Sequence, residues 1–221
     1  MDTASALITR KSVRAFLNKS VSKALIEKIL DKARHAPSGK NSQPWNVSVV
    51  TGRTKQILDK KLEEAFWNKH ERKMEYNYYP QQMPPEFKAK AIECGMLLYE
   101  TLNIKRDDTE TRLKQWAKNY SAFGAPTTLY FFVHNLADKG SFLDYGLFLQ
   151  SVMLMATSLG LATCPQAALA EFPDIVKSEL GYSTNYTLVC GLAIGYEDTK
   201  APINNYRTPR DEVAQFTKFF D

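Results

Sequence analysis

A run of residues without charge, 145–170, constrains the fold more than any other feature of this sequence. Its first half is apolar enough for a buried helix, but Gln150 and Thr157 interrupt it, and no basic cluster flanks it. A membrane-spanning helix of about 20 residues rarely carries several polar side chains. The sequence therefore predicts a helix over 140–159, ended by Gly160 and buried in a core or a subunit interface.

Few strands and many helices are predicted outside that run. β-Branched and aromatic residues predict strands over 46–51, 127–134 and 186–194. Apolar residues at helical spacing predict helices over 3–8, 22–35, 54–73, 86–104, 107–118 and 172–180, with an irregular segment at 74–86. Because long helical segments separate the strands, the sequence predicts a single α+β domain over residues 1–221, with a C-terminal arm from about 201 to 221.

The charge and the cysteines narrow the classes of function. The sequence has 29 lysines and arginines against 24 aspartates and glutamates, a net charge of +5 that is spread along the chain. This mild surplus suits an anionic small ligand and does not argue for nucleic acid. Cys94, Cys164 and Cys190 are too far apart for a disulfide framework or a zinc site, which favours a reducing, cytoplasmic location. The first residues contain no apolar core of signal-peptide length.

Motifs for the common catalytic and nucleotide-binding folds are absent. The sequence contains no G-x-G-x-x-G, no P-loop, no H-E-x-x-H and no G-x-S-x-G. His35, His70 and His134 are distant in sequence, whereas a metal ion needs three or four convergent donors. No metal site is therefore predicted, and no residue is assigned as catalytic.

Basic residues gather in loops near both ends of the chain. The first loop carries Arg10, Lys11, Ser12 and Arg14, and the tail carries Arg207 and Arg210. Guanidinium groups bind phosphate through paired hydrogen bonds, and a hydroxyl adds a neutral donor. These residues therefore predict a phosphate site without a glycine-rich loop; the alternative is a set of solvated surface charges.

A loop between a helix and the first strand has the composition of a ligand-binding segment. It contains Pro37, Ser38, Asn41 and Gln43. Its amides both donate and accept hydrogen bonds, as the pyrimidine edge of a flavin or a nucleobase requires. The alternative is a rigid, capped turn.

A second such segment, Cys164-Pro165-Gln166, follows the helix predicted over 140–159. The proline holds the chain extended there and leaves neighbouring amides free to point at a ligand. Cys164 has no histidine or basic residue near it in sequence, so a packing role is favoured over that of a nucleophile.

These segments belong to a series of motifs that resembles the FMN-dependent nitroreductase family, in its nitrobenzoate-reductase-like branch. The motifs are, in order, Arg10 to Arg14, Ala36 to Trp45, Phe123 to Pro126, Asp144 to Gly146, Gly160 to Gln166, Gly191 to Gly195 and Asn205 to Arg210. The R-x-S-x-R loop is weakly specific alone, but it is strong when joined to P-S-G-x-N-x-Q-P-W at this spacing. The resemblance covers nearly the whole chain.

The resemblance implies an α+β fold with a central, mostly antiparallel sheet flanked by helices. It also implies an intertwined homodimer with two FMN sites at the subunit interface. The FMN phosphate would be held by Arg10, Arg14 and Arg207, with Ser12, Lys11 and Arg210 in support. Ser38, Asn41 and Gln43, beside Pro37, would line the ring or the ribityl chain, some from the partner subunit. The backbone at Cys164, Pro165 and Gln166 would approach flavin N5.

The chemistry implied by the resemblance is ping-pong hydride transfer. NADPH or NADH delivers hydride to FMN and leaves, and a nitroaromatic or a quinone then stacks on the same face and is reduced. Tyr120 and Phe123, beside a family-like turn, are candidates for the substrate pocket, with core packing as the alternative.

Two other classes of function stay open at this point. One is another reductase on the same scaffold, such as a flavin or enone reductase or a reductive dehalogenase. A dehalogenase needs an ordered lid, for which the tyrosine-rich stretch 76–82 is the candidate, although it carries no evident clamp for a zwitterion. The other is a non-enzymatic flavin-binding protein that senses redox state.

Two positions depart from the family pattern. Lys11 stands where a second arginine is usual, which keeps the charge but loses the planar fork. Some relatives carry an acidic residue near flavin N5, where this chain has Pro165-Gln166-Ala167.

Overall fold

Helices flank a four-stranded sheet in the computed structural model, which describes all 221 residues. The helices are α1 (Thr3–Thr9), α2 (Lys23–Ala33), α3 (Gly52–Trp67), α4 (Pro85–Thr101), α5 (Thr109–Ala117), α6 (Lys139–Ser158), α7 (Pro173–Leu180) and α8 (Val213–Phe216). The strands are β1 (Asn46–Thr51), β2 (Thr127–His134), β3 (Ala162–Gln166) and β4 (Tyr186–Gly195). The predicted α+β class is confirmed.

The sheet is antiparallel at every pairing, in the order β1-β2-β4-β3. Side chains of β2 alternate between two cores, as the two-residue period of a strand requires. Tyr130 and Phe132 pack on one side with residues of α3 and α7. Leu129 and Phe131 pack on the other side with residues of α2 and α6. Helices therefore cover both faces of the two central strands.

The helix predicted over 140–159 is α6. It buries Tyr145, Phe148, Val152, Met153 and Ala156 along one side. Leu143 and Leu147 remain exposed on the other side of the same helix. None of the helices combines the length and the apolar character needed to span a bilayer.

The two largest differences from the sequence prediction concern the end of α3 and residues 162–166. The prediction extends α3 to residue 73, but the helix ends at Trp67 because Lys69 takes a left-handed backbone, with φ 56°. Residues 162–166 are predicted to be extended but not to form a strand, and they form β3. Pro165 is tolerated within β3 because this strand lies at the edge of the sheet, where one side needs no ladder hydrogen bond.

Glycines allow β4 to approach two neighbouring segments closely. A Cβ atom at Gly191 would lie 2.3 Å from Leu169 Cδ1, and one at Gly195 would lie 2.6 Å from Pro126 Cδ. Real Cβ atoms do not come so close to other heavy atoms, so a larger residue at either position requires the neighbour to move. These two glycines therefore permit close packing of β4 against Leu169 and Pro126.

Candidate functional site

A cavity of about 740 Å³ lies where the two ends of the chain meet. It is lined by Leu7, Ile8, Arg10, Lys11, Ser12, Arg14, Cys94, Gln150, Tyr206, Arg207, Thr208 and Arg210. All six residues predicted to form a phosphate site are in this set. The structure therefore brings the first loop and the tail together around one space.

Asn204 joins the two ends from a buried position, with 2% of its surface exposed. Its side-chain oxygen accepts a hydrogen bond from the backbone N–H of Arg14 at 2.8 Å, and its amide donates to the carbonyl of Ala15 at 2.9 Å. Lys11 Nζ donates to the Asn204 carbonyl at 2.6 Å. Arg207 Nη2 donates to the Arg10 carbonyl at 2.8 Å, so the tail is tied directly to the first loop.

The positive charge in the cavity is largely uncompensated. Arg10, Arg14, Arg207 and Arg210 form no ion pair with a carboxylate in this chain. Burial lowers the pKa of the Arg10 guanidinium, and the nearby charges of Arg210 and Arg207 lower it further. Cations held together without counterions create a site for an anion.

Lys11 differs from the arginines around it. Its ammonium lies 2.8 Å from Glu197 Oε1 and also donates to the Asn204 carbonyl. The positive charge of Lys11, which the sequence analysis assigned to the phosphate site, is therefore already paired with a carboxylate. Lys11 contributes to the joint between the two ends of the chain, and its role toward a ligand stays a prediction.

The first loop also packs beside β3. Ser12 bridges to Thr163, and the backbone N–H of Val13 donates to the Thr163 carbonyl at 3.0 Å. Cys164 is buried at this contact, and burial raises the pKa of its thiol to about 11. At neutral pH the thiol stays protonated, which agrees with a packing role.

The three residues of the β3 segment do not line the cavity. Pro165 is exposed, whereas Gln166 is buried and its amide donates to the Asn119 carbonyl at 2.9 Å. The side chain of Gln166 is thus engaged within the chain, and the predicted approach of this backbone to a flavin stays a prediction.

The loop predicted to bind a ring or a ribityl chain lies outside the cavity. Pro37, Asn41 and Gln43 are exposed, and Ser38 is half-buried. Ser38 Oγ accepts a hydrogen bond from the backbone N–H of Gln43 at 3.0 Å, which closes the turn. Both the rigid, capped turn and the exposed amides are therefore present, and the role of these residues toward a ligand stays a prediction.

Tyr120 and Phe123 lie in the core beside α3. Tyr120 has no exposed surface, and its hydroxyl donates to Glu171 while its ring packs between Phe66 and Phe172. Phe123 is 8% exposed, and its ring centre lies 6.0 Å from the Arg14 guanidinium carbon. Neither residue lines the cavity and both pack in the core, so their role toward a substrate stays a prediction.

The tyrosine-rich stretch is anchored at its start. Tyr76 donates its hydroxyl to the Val189 carbonyl at 2.6 Å. Glu75 pairs with Lys177 and accepts a hydrogen bond from the Leu188 N–H at 2.8 Å. These bonds pair backbone groups of β4 that lie beyond the end of β3, at a bulge in the pairing of β4 with β2. Side chains at the start of the stretch therefore bind the part of β4 that has no neighbouring strand on this side.

Sequence reasoning missed several residues of the cavity. Tyr206 accepts a hydrogen bond from Arg14 Nη1 at 2.9 Å, and Gln150 reaches the cavity from α6. Tyr206 belongs to one of the family-like motifs, but its residue type alone assigned no function to it. Asn204 carries no signal of its own, because its role exists only once the first loop is packed against it.

Known proteins resemble this chain along most of its length. The nitroreductase family model matches residues 7–196. A 4-nitrobenzoate reductase from Pseudomonas putida is 37% identical over 218 residues, which are 99% of this chain and 95% of that protein. The nitroreductase NfnB from Mycolicibacterium smegmatis is 32% identical over 95% of this chain and 89% of that protein.

Solved structures show the same relationship. The crystal structure of the FMN and NADPH-dependent nitroreductase NfnB from sphigopyxis sp. strain HMH superposes with a TM-score of 0.96 at 35% identity, covering all of both chains. The FMN-dependent NfnB from Mycobacterium smegmatis, solved in complex with NADPH, gives a TM-score of 0.94 at 31% identity, covering 99% of this chain and 97% of that one. The resemblance seen in the sequence motifs is confirmed, and the chain belongs to the nitroreductase family.

Proposed function

We propose that this protein is an FMN-dependent oxidoreductase that uses NAD(P)H to reduce nitroaromatic compounds or quinones. The observation that carries the proposal is the cavity in which four arginines converge without a carboxylate partner. A phosphate monoester supplies the two negative charges and the several acceptor oxygens that such a donor set requires. The residues present therefore fit the phosphate end of FMN.

The chain's own residues are assigned to binding and orientation. Arg10, Arg14 and Arg207 hold the phosphate, with Ser12 and Arg210 beside them. Ser38, Asn41 and Gln43 contact the ring or the ribityl chain, and the β3 backbone at Cys164–Gln166 lies near the reactive ring edge. Bound FMN supplies a group that accepts and donates hydride, so the protein needs no nucleophile of its own.

The substrate class rests on the relatives. Proteins named 4-nitrobenzoate reductase and nitrobenzene nitroreductase match this chain at 37% and 30% identity over 99% and 95% of its length. The three cysteines are free, which fits a reducing compartment such as the cytoplasm.

The test is a visible absorbance spectrum of the purified protein, recorded before and after anaerobic addition of NADPH. A flavin spectrum is expected, which bleaches with NADPH and recovers on addition of 4-nitrobenzoate. A flavin that NADPH and NADH both fail to bleach would favour a binding or sensing protein over a reductase. Absence of flavin even after incubation with FMN would refute the proposal.

We further propose that two copies of the chain form a homodimer with the FMN sites at their interface. Helix α4 supports this, because none of its 17 residues is buried within the chain. Ile92 and Met96 on α4 are each 54% exposed, and Phe219 and Phe220 in the tail are 87% and 88% exposed. Apolar side chains in such numbers mark a surface that another protein covers.

The dimer is testable by light scattering of the purified protein. The expected mass is twice that of the chain. Replacing Ile92 and Met96 together by glutamate places two charges in the proposed interface and is expected to give a monomer at micromolar concentration. Leu136→Glu, at an exposed apolar residue outside α4 and the tail, is the control and should leave the mass unchanged. A monomeric wild-type protein, or a dimeric double variant, would contradict the proposed interface.

A further inference from the structure

One face of α6 holds the loop 38–46 at three points. The carboxylate of Asp144 accepts a hydrogen bond from the Gly39 N–H, with both oxygens 3.2 Å away. The hydroxyl of Tyr145 accepts one from the Asn46 N–H at 2.9 Å. Between these points, Trp45 stacks on Phe148 with ring centres 4.6 Å apart and planes within 5°. The loop is thus attached to a single helix near its start, at Gly39, and near its end, at Trp45 and Asn46.

The loop between these points has an unfavourable backbone. Lys40, Asn41 and Gln43 have φ values of 51°, 56° and 45°, in the left-handed region that side chains with a Cβ rarely occupy. Such residues keep this conformation only where their surroundings fix it. The internal hydrogen bonds of the turn, including that from Gln43 N–H to Ser38 Oγ, do not attach it to the rest of the molecule.

Asp144 is the polar attachment at the strained end of the loop. Its carboxylate forms no ion pair in this chain, and the Gly39 N–H is the donor that both of its oxygens meet. Tyr145 and Trp45 hold the other end, where the chain already enters β1 and the sheet ladder fixes the backbone. The conformation at Lys40 and Asn41 therefore depends most directly on Asp144.

We propose that Asp144 is a positioning residue, whose carboxylate holds the strained loop in the shape that presents Ser38, Asn41 and Gln43 to the flavin. This inference rests on the proposed function, since it concerns the loop assigned to the ring or ribityl chain. Asp144 acts through the loop backbone and touches no ligand itself. The loop shape is set within each chain, whichever subunit's flavin the loop contacts.

The experiment compares Asp144→Ala and Asp144→Asn in the full-length protein as purified. Hydrogen exchange read by mass spectrometry follows the amides of residues 38–43, and trypsin cleavage after the exposed Lys40 reports whether the loop opens. Equilibrium ultrafiltration measures the dissociation constants of FMN and of riboflavin, which lacks the phosphate. The urea midpoint separates loop opening from global unfolding.

For Asp144→Ala, both exchange of the loop amides and cleavage after Lys40 are expected to accelerate about tenfold or more, because a hydrogen bond to a charged acceptor is lost. The dissociation constants of FMN and riboflavin should both rise by about this factor. The two flavins should be affected equally, because the substitution leaves the phosphate cavity unchanged. Asp144→Asn keeps an acceptor oxygen and should recover most of the wild-type behaviour. The matched control is Asp138→Asn, which removes one negative charge from the N-cap of the same helix while keeping a good cap.

The outcomes separate this inference from the proposed function. If Asp144→Ala left amide exchange and trypsin cleavage in the loop unchanged, Asp144 would not hold the loop, whether or not the protein binds a flavin. A looser loop with unchanged affinity for both flavins would overturn the positioning role and leave the proposed function intact. A wild-type protein that binds neither flavin would overturn the proposed function itself, while the exchange data would still decide whether Asp144 holds the loop.

Discussion

Replacing Arg10 and Arg207 together by alanine is expected to weaken FMN binding by about 100-fold. Each substitution removes a charged hydrogen-bond donor, which contributes about 1.5–3 kcal/mol to binding in a desolvated site. The lower end of that range applies here because Arg207 is exposed, so solvent screens part of its charge. Two such losses amount to about 3 kcal/mol, which corresponds to roughly two orders of magnitude in the dissociation constant.

Comparison with riboflavin makes this test specific. Riboflavin has no phosphate, so the double variant should bind it as tightly as the wild-type protein does. Arg34→Ala, at an exposed arginine paired with Asp31, is the control for loss of surface charge and should leave both affinities unchanged. An equal loss of FMN and riboflavin affinity would point to damage of the whole site. Full FMN occupancy in the double variant would show that the phosphate lies elsewhere.

Gly191→Ala is expected to destabilise the fold by about 3 kcal/mol, at the upper end of the range for overpacking a core. The new methyl carbon would lie 2.3 Å from Leu169 Cδ1 and 2.8 Å from Leu169 Cβ, so the Leu169 side chain and its backbone must both move. Leu169 is fully buried and has no space to move into without displacing its neighbours.

Urea denaturation at fixed pH measures this effect. A double-mutant cycle with Leu169→Ala should show coupling between the two sites, because shortening Leu169 removes its Cδ1 contact. The relief is partial, since the Cβ contact remains. Gly140→Ala on α6 is the control, because no atom lies within 4 Å of the position that its methyl group would take and alanine favours a helix. A Gly191→Ala protein as stable as wild type would mean that β4 and Leu169 are not in close contact.

The elements with strong periodic signals were predictable from the sequence. Strand β2 agrees with its prediction at both ends, and α6 agrees within one residue at each end. Both elements are long, and the pattern of their apolar residues is compatible with only one type of secondary structure. Strand β3 was not predicted, since its five residues contain a proline and its pairing with β4 depends on a partner more than 20 residues away. Short edge strands are defined by their neighbours more than by their own composition.

The site was predictable where it consists of charges and less so where it depends on packing. The two groups of basic residues were predicted from their chemistry, and the family resemblance placed them together. That Lys11 is neutralised by Glu197 depends on a contact between loops distant in sequence. That Tyr120 lies in the core and not at a surface pocket depends on which side of a turn faces α3, which the sequence pattern does not specify.

The joint between the first loop and the tail determines when the cavity forms during synthesis. The hydrogen bonds that build it, from Lys11 and Arg14 to Asn204 and from Arg207 to Arg10, join residues separated by 193, 190 and 197 positions. Chains emerge from the ribosome N-terminus first, so the first loop is exposed long before the tail that completes the cavity. A chain that ends before Asn204 lacks these bonds as well as Arg207 and Arg210, so the full set of arginines assembles only in finished molecules.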